Sequence, residues 1–139
     1  MKNYFFAAIA ASALLFACKK NDKETTCEKT VAAIAGNYKV TKITLAGQDI
    51  TNQYFSEACL KDDVYELKAD KSVVYTDAGT VCASSSSGTG TWDVVSGRLT
   101  VTHSGDGDDF DGNVTNKCNG LEISESFGGQ SLVFTLTKQ

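Results

Sequence analysis

Between Gly105 and Gly112 the chain sets Asp106, Asp108, Asp109 and Asp111 among three glycines, with Asn113 directly after them. Hard oxygen donors on a tight, glycine-rich loop are what a calcium ion takes. Counted from Asp106, the sixth and twelfth positions are Asp111 and Lys117, where an EF-hand needs glycine and a bidentate glutamate. The pattern therefore predicts a solvated acidic hairpin, with an irregular calcium loop on the four aspartates as the alternative. His103, the only histidine, ends the apolar face of a strand. No Gly-x-Ser-x-Gly, His-Glu-x-x-His or phosphate loop accompanies it. One histidine without a placed nucleophile or second acid gives little ground for catalysis, and the chain is read as a non-enzyme that uses no cofactor. Tyr38, Tyr65, Tyr75 and Trp92 fall on the apolar phase of strands. With His103 at the rim they would offer a hydrophobic molecule apolar rings and, from the tyrosines, hydroxyls; the same rings could instead fill the interior.

Cysteine supplies a second set. No two of the five cysteines make a Cys-x-x-Cys pair, so zinc and redox chemistry have little support. Once Cys18 is set aside, Cys27, Cys59, Cys82 and Cys118 form an even group, and in an oxidising compartment two disulfides are expected. Cys59 and Cys82 flank a predicted hairpin at similar distances from its turn, which favours joining them and leaves Cys27 for Cys118.

Cys18 has a different setting. Residues 4–17 carry no charge and follow the short basic start Met1-Lys2-Asn3, while Lys19 and Lys20 end the run. A stretch this short is a signal-peptide core rather than a membrane span, which needs about 20 apolar residues. Its last residues, Leu15-Phe16-Ala17-Cys18, resemble the lipobox of bacterial lipoproteins. That resemblance implies cleavage before Cys18, lipid on its thiol and acylation of the new amino terminus, which makes a lasting membrane anchor. Lys19 rather than aspartate follows the anchor, so the expected location is the outer membrane, on a face that the sequence leaves open.

The parts thus read as a signal peptide over 1–17, a solvated tether over 18–25, and one domain over 26–139. After the leader goes there is enough chain for one domain and too little for two. Net charge is −4, or −5 without Lys2, and no basic cluster exists, so nucleic acid is excluded as a partner. The expected partners are the membrane, through the anchor, and a small hydrophobic molecule or an envelope protein; the expected state is a monomer.

Within the domain, a short helix is predicted from Glu28 to Ala35, capped by Thr25 or Thr26 and stopped by Gly36. The period then changes to two. Strands are expected over 37–45, 64–68, 72–76, 90–94, 98–103, weakly over 113–115, and over 121–126 and 131–137. Tyr38 and Val40 share one phase while Ile43 and Leu45 share the other, which places a bulge near Thr41 and Lys42. Residues 84–88 make a flexible loop, and residues 105–112 a turn. Short links, one apolar face per strand and no proline predict an all-β fold, a small antiparallel up-and-down barrel of about eight strands with a short N-terminal helix, because closure removes exposed edges. A Greek-key sandwich would need long crossovers, and only residues 46–63 could supply one.

Several short motifs along this barrel fall in a recognisable order: Gly36-Asn37-Tyr38 opening the first strand, Cys59 before the Asp62-Asp63 strand, Leu67-Lys68-Ala69-Asp70-Lys71 at a hairpin, Cys82, Gly90-Thr91-Trp92, and a closing Leu132-Val133-Phe134-Thr135-Leu136. Over residues 36–138 the chain resembles the small lipocalin-like (calycin-like) domains common in lipoproteins of Bacteroidetes-type bacteria. The resemblance implies the barrel more than a function. Two functions follow as expectations: a tethered binder of a small hydrophobic ligand, or a non-catalytic envelope interaction module whose barrel is filled.

Overall fold

The computed structural model describes residues 26–83 and 87–139. The predicted leader, Cys18 with its tether, and Ser84, Ser85 and Ser86 lie outside the described residues. Nine strands follow one another: Gly36–Leu45 (β1), Gln48–Asp49 (β2), Val64–Leu67 (β3), Ser72–Thr76 (β4), Gly88–Val95 (β5), Arg98–His103 (β6), Phe110–Asn116 (β7), Gly120–Phe127 (β8) and Gln130–Lys138 (β9). From β3 onward each pairs antiparallel with the next; β1 joins β3 on one side and β9 on the other, so eight strands close and β2 hangs from the end of β1. This is the expected up-and-down barrel. The bulge is present as well, since the β1–β9 register shifts between Val40 and Lys42.

Alternation places Tyr38, Val40, Tyr65, Leu67, Val73, Tyr75, Trp92, Leu99, Val101, Phe110 and Val114 inside, with Leu121, Ile123, Leu132, Phe134 and Leu136. The two ends differ. At one, helix α1 (Val31–Ile34) plugs the barrel with Ile34, which is fully buried and whose carbonyl accepts the Tyr38 hydroxyl. The Trp92 indole N–H donates to the Lys68 carbonyl in the β3–β4 turn at 2.8 Å, so this end is packed and hydrogen-bonded. The Cys27–Cys118 disulfide ties the incoming chain to the β7–β8 turn here. The opposite end carries residues 46–63, 77–83 and 104–109 and is the barrel mouth. There Cys59–Cys82 joins a 3-10 turn at Ala58–Lys61 to the β4–β5 connection. Both disulfides have the expected pairing.

Two local expectations differ from the structure, and a third stretch follows the barrel rather than the sandwich. Helix α1 starts only after Thr30, whose hydroxyl accepts from the Ala33 N–H, rather than at Glu28 behind Thr25 or Thr26. Cys27 N–H bonds to the Asn116 carbonyl and the Asn116 amide bonds to the Glu28 carbonyl, so residues 27–28 are held against β7 and cannot wind into the helix. Residues 110–112 are strand rather than turn: Phe110, Gly112, Val114 and Asn116 all face inward, and a glycine at one inward position hides the period. At Gly112 any side chain would meet the Ser124 carbonyl, which explains that glycine. Residues 46–63 are no crossover. They form β2, helix α2 (Thr51–Tyr54) and the 3-10 turn, folded back over the mouth.

Candidate functional site

Asp49 begins the site, because its Oδ1 accepts both the backbone N–H and the hydroxyl of Thr51, at 3.0 and 2.6 Å, a local turn that starts α2. The Thr51 hydroxyl also accepts from Ile43 N–H at 2.9 Å, which fastens α2 to β1. Tyr54 and Phe55 are thereby set over the mouth. From them a continuous chain of rings crosses the barrel: Phe55 to Tyr54, Tyr54 to Phe134, Phe134 to Phe110, Phe110 to Tyr65, Tyr65 to Tyr75, with centroids 5.1–5.8 Å apart. His103 ends the chain, stacked on Tyr75 at 4.8 Å. Contacts of this kind add about 0.5–1.5 kcal/mol each beyond burial and make the layer rigid.

Asp108 is the hub above these rings. Its N–H donates to the Tyr65 hydroxyl at 2.7 Å, its Oδ1 accepts the Tyr54 hydroxyl at 2.6 Å, and its carbonyl lies 3.3 Å from His103 Nε2. Gly105 N–H donates to His103 Nδ1 at 3.1 Å, so Nε2 carries the ring proton and donates to Asp108. The loop lies so close that a Cβ at Gly107 would stand 2.4 Å from the Tyr75 ring. Below it, Asp63 is 7% exposed and accepts the Tyr75 hydroxyl on one oxygen and the Ala78 N–H on the other.

Two adjoining cavities result. An inner chamber of about 100 Å³ is lined by Val40, Tyr54, Phe55, Leu60, Tyr65 and Tyr75, with Asp63, Asp106, Gly107 and Asp108. An outer groove of about 330 Å³ runs along Leu45, Ile50, Phe127, Leu132 and Phe134, edged by Asp109 and Glu125. Tyr54 and Asp108 belong to both and form the partition.

The charged residues lining the two cavities are all acidic. Burial raises Asp108 above the ordinary carboxylate value and Asp109 adds to it, against the Tyr54 hydrogen bond and His103. Asp63 is raised by burial too, with help from Asp77 and Asp62, although Tyr75 and Ala78 donate to it. Burial likewise pushes up the hydroxyls of Tyr54, Tyr65 and Tyr75. A carboxyl whose value is higher folded than unfolded stabilises the fold below the unfolded value and loses that contribution as pH rises through the folded one. Asp49, Asp70, Asp93 and Asp111 are lowered, chiefly by side-chain hydrogen bonds, and act in the opposite sense at lower pH. The melting temperature is therefore expected to rise as pH falls through the raised values of Asp63 and Asp108 and to drop again below about 4. Asp108→Asn, which keeps an oxygen for Tyr54, should raise the value at pH 7 and flatten the upper limb; scanning calorimetry across pH checks this, and a limb unchanged by the substitution refutes it.

Of the sequence-predicted ligand residues, Tyr65 and Tyr75 line the inner chamber and His103 backs Tyr75. Tyr38 pairs with Tyr65 across β1 and β3, yet its hydroxyl reaches the plugged end, and Trp92 is fixed there as well. Neither borders the chamber. The four aspartates weighed for calcium do not converge: Asp106 is exposed, Asp108 holds Tyr54, Asp109 accepts His103 N–H, and Asp111 pairs with Arg98 at 2.7 Å. Among the described residues the only close set of potential ligands is Glu57, Cys59 and Cys82, whose cysteines are joined to each other. Sequence reasoning missed Tyr54, Phe55, Asp63, Phe110 and Phe134. Of these, Phe134 stood on a predicted inward phase, whereas Tyr54 and Phe55 come from a segment without period.

No curated protein and no solved structure matches this chain. A family model described as a lipocalin-like domain matches residues 34–134, which takes in the closed barrel as far as the first half of β9 and the residues lining both cavities of the mouth. The chain belongs to the family of lipocalin-like domains.

Proposed function

We propose that the protein is a non-catalytic, outer-membrane lipoprotein, anchored through Cys18, that binds a small molecule at the mouth of its barrel. The observation that carries this is the pair of cavities sharing Tyr54 and Asp108. The inner chamber alone has room for about three waters. Joined to the outer groove it comes within the range of about 300–1,000 Å³ usual for small-molecule sites. The described chain enters at the plugged end, opposite the mouth.

A second reading has its own support. With the barrel filled by side chains and Phe127 64% exposed beside the groove, the mouth would instead serve as a contact for an envelope protein. Native mass spectrometry of protein taken gently from an envelope fraction separates the two. The binder predicts a lipid mass on Cys18 together with a second small mass lost on denaturation. A lipidated chain carrying nothing else favours the interaction module, and a chain without lipid overturns the anchor.

A further inference from the structure

Both cavities have apolar or aromatic walls, and the charged residues on them are of one sign: Asp63, Asp106 and Asp108 in the chamber, Asp108, Asp109 and Glu125 in the groove. Neither lining includes a lysine or an arginine. The ion pairs Lys42–Asp49, Lys68–Glu66, Lys71–Asp93, Arg98–Asp111 and Lys117–Glu122 involve none of the lining residues. Burying a carboxylate is costly, and the fold keeps Asp63 and Asp108 against aromatic rings with tyrosine hydroxyls and a backbone N–H as their hydrogen-bond donors rather than a lysine or arginine. Rings present a negative face to a cation, so the walls and the carboxylates favour the same occupant.

We infer that the mouth takes an organic cation, its ammonium held by Asp108 and Asp63 among the rings of Tyr65 and Tyr75, and its apolar tail laid in the groove along Leu45, Ile50, Leu132 and Phe134. This rests on the small-molecule reading above and names its ligand class. Tyr54 must turn aside for head and tail to occupy both cavities, and the hydrogen bond it gives Asp108 is replaced by one from the ammonium. An anionic amphiphile of the same length meets linings that hold five acidic residues and no lysine or arginine. Asp108 is faced by Tyr54, Tyr65, His103 and Asp109, and Asp63 by Tyr75, Asp62 and Asp77. Protonation of the two carboxyls, which their raised values bring closer to neutral pH, removes the attraction.

The test is calorimetric titration of the mature protein in lipid nanodiscs, with empty discs as blank, using n-hexylammonium, n-hexanol and n-hexanoate. Hexylammonium is expected to bind at least tenfold more tightly than hexanol, with hexanoate weakest, and the advantage to shrink as pH falls. Asp108→Asn should bring hexylammonium down to the level that hexanol shows in the same variant. Equal binding of all three probes to the unmodified protein overturns the cation preference and leaves a small-molecule site standing. Binding of none overturns both.

Discussion

Replacing Cys27 and Cys118 together by serine is expected to cost about 4–5 kcal/mol of unfolding free energy, since the bond closes a sequence separation of 91 residues. The Cys59–Cys82 bond, with a separation of 23, contributes about 3 kcal/mol on the same chain-entropy basis. Domains of this size are stable by about 5–15 kcal/mol, so the first loss can take most of what the fold has. The consequences are also unequal in place. Without Cys27–Cys118, the backbone bond from Cys27 to Asn116 and the Asn116 amide bond to Glu28 must hold the N-terminal segment alone. Helix α1 then loosens, and with it the Ile34 plug and the acceptor of the Tyr38 hydroxyl. Without Cys59–Cys82 the barrel stays closed and the mouth loosens. Urea unfolding of both double-serine variants gives the free energies, and hydrogen exchange gives the places. A loss under about 1 kcal/mol for the 27–118 pair would show that the segment before β1 opens without the barrel.

Much of this architecture was legible because a strand with one buried face writes a period of two into its sequence. Ser72–Thr76 and Arg98–His103 carry the period cleanly and match the expected bounds. The bulge in β1 was legible for the same reason, as a phase change between Val40 and Ile43. Gly112 erased it: an inward glycine, required by the nearby Ser124 carbonyl, leaves no apolar side chain to count, and the first half of β7 passed for a turn. The site was less legible than the barrel. Tyr65 and Tyr75 stood on regular strands, but Tyr54 and Phe55 reach the mouth from a segment whose shape comes from an Asp49–Thr51 turn and a disulfide, neither of which is periodic. Asp63 precedes a strand by one residue, and only the folded structure shows it to be buried under Tyr75. Tyr38 marks another limit. Its phase correctly predicts an inward ring, yet phase does not say toward which end of a barrel a long side chain leans.

Phe110→Ala is expected to cost about 3–5 kcal/mol and, in the folded variant, to strengthen binding of an uncharged hydrophobic probe about tenfold. Phe110 is 2% exposed and lies between Tyr65 and Phe134, with ring centroids 5.2 Å from each. Tyr65 lines the inner chamber and Phe134 the outer groove, so Phe110 is the ring beneath both. Its removal deletes two aromatic contacts and opens apolar volume under a chamber that otherwise holds about 100 Å³. A rigid barrel closed by hydrogen-bonded strands and two disulfides relaxes little into such a space, which is why the penalty falls in the upper part of the range for core truncations. The same rigidity leaves room for about two more methylenes of a ligand, each contributing about 0.8 kcal/mol when buried, hence the tenfold gain. Urea unfolding measures the first effect and titration with n-hexanol the second. Phe110→Leu, which keeps most of the volume, should lose less stability and gain less binding, so the two quantities are expected to move together. A variant that loses the full stability yet binds hexanol no better would mean that Tyr65 and Phe134 have closed over the gap, and that the layer of rings is a filled core rather than the floor of a binding site.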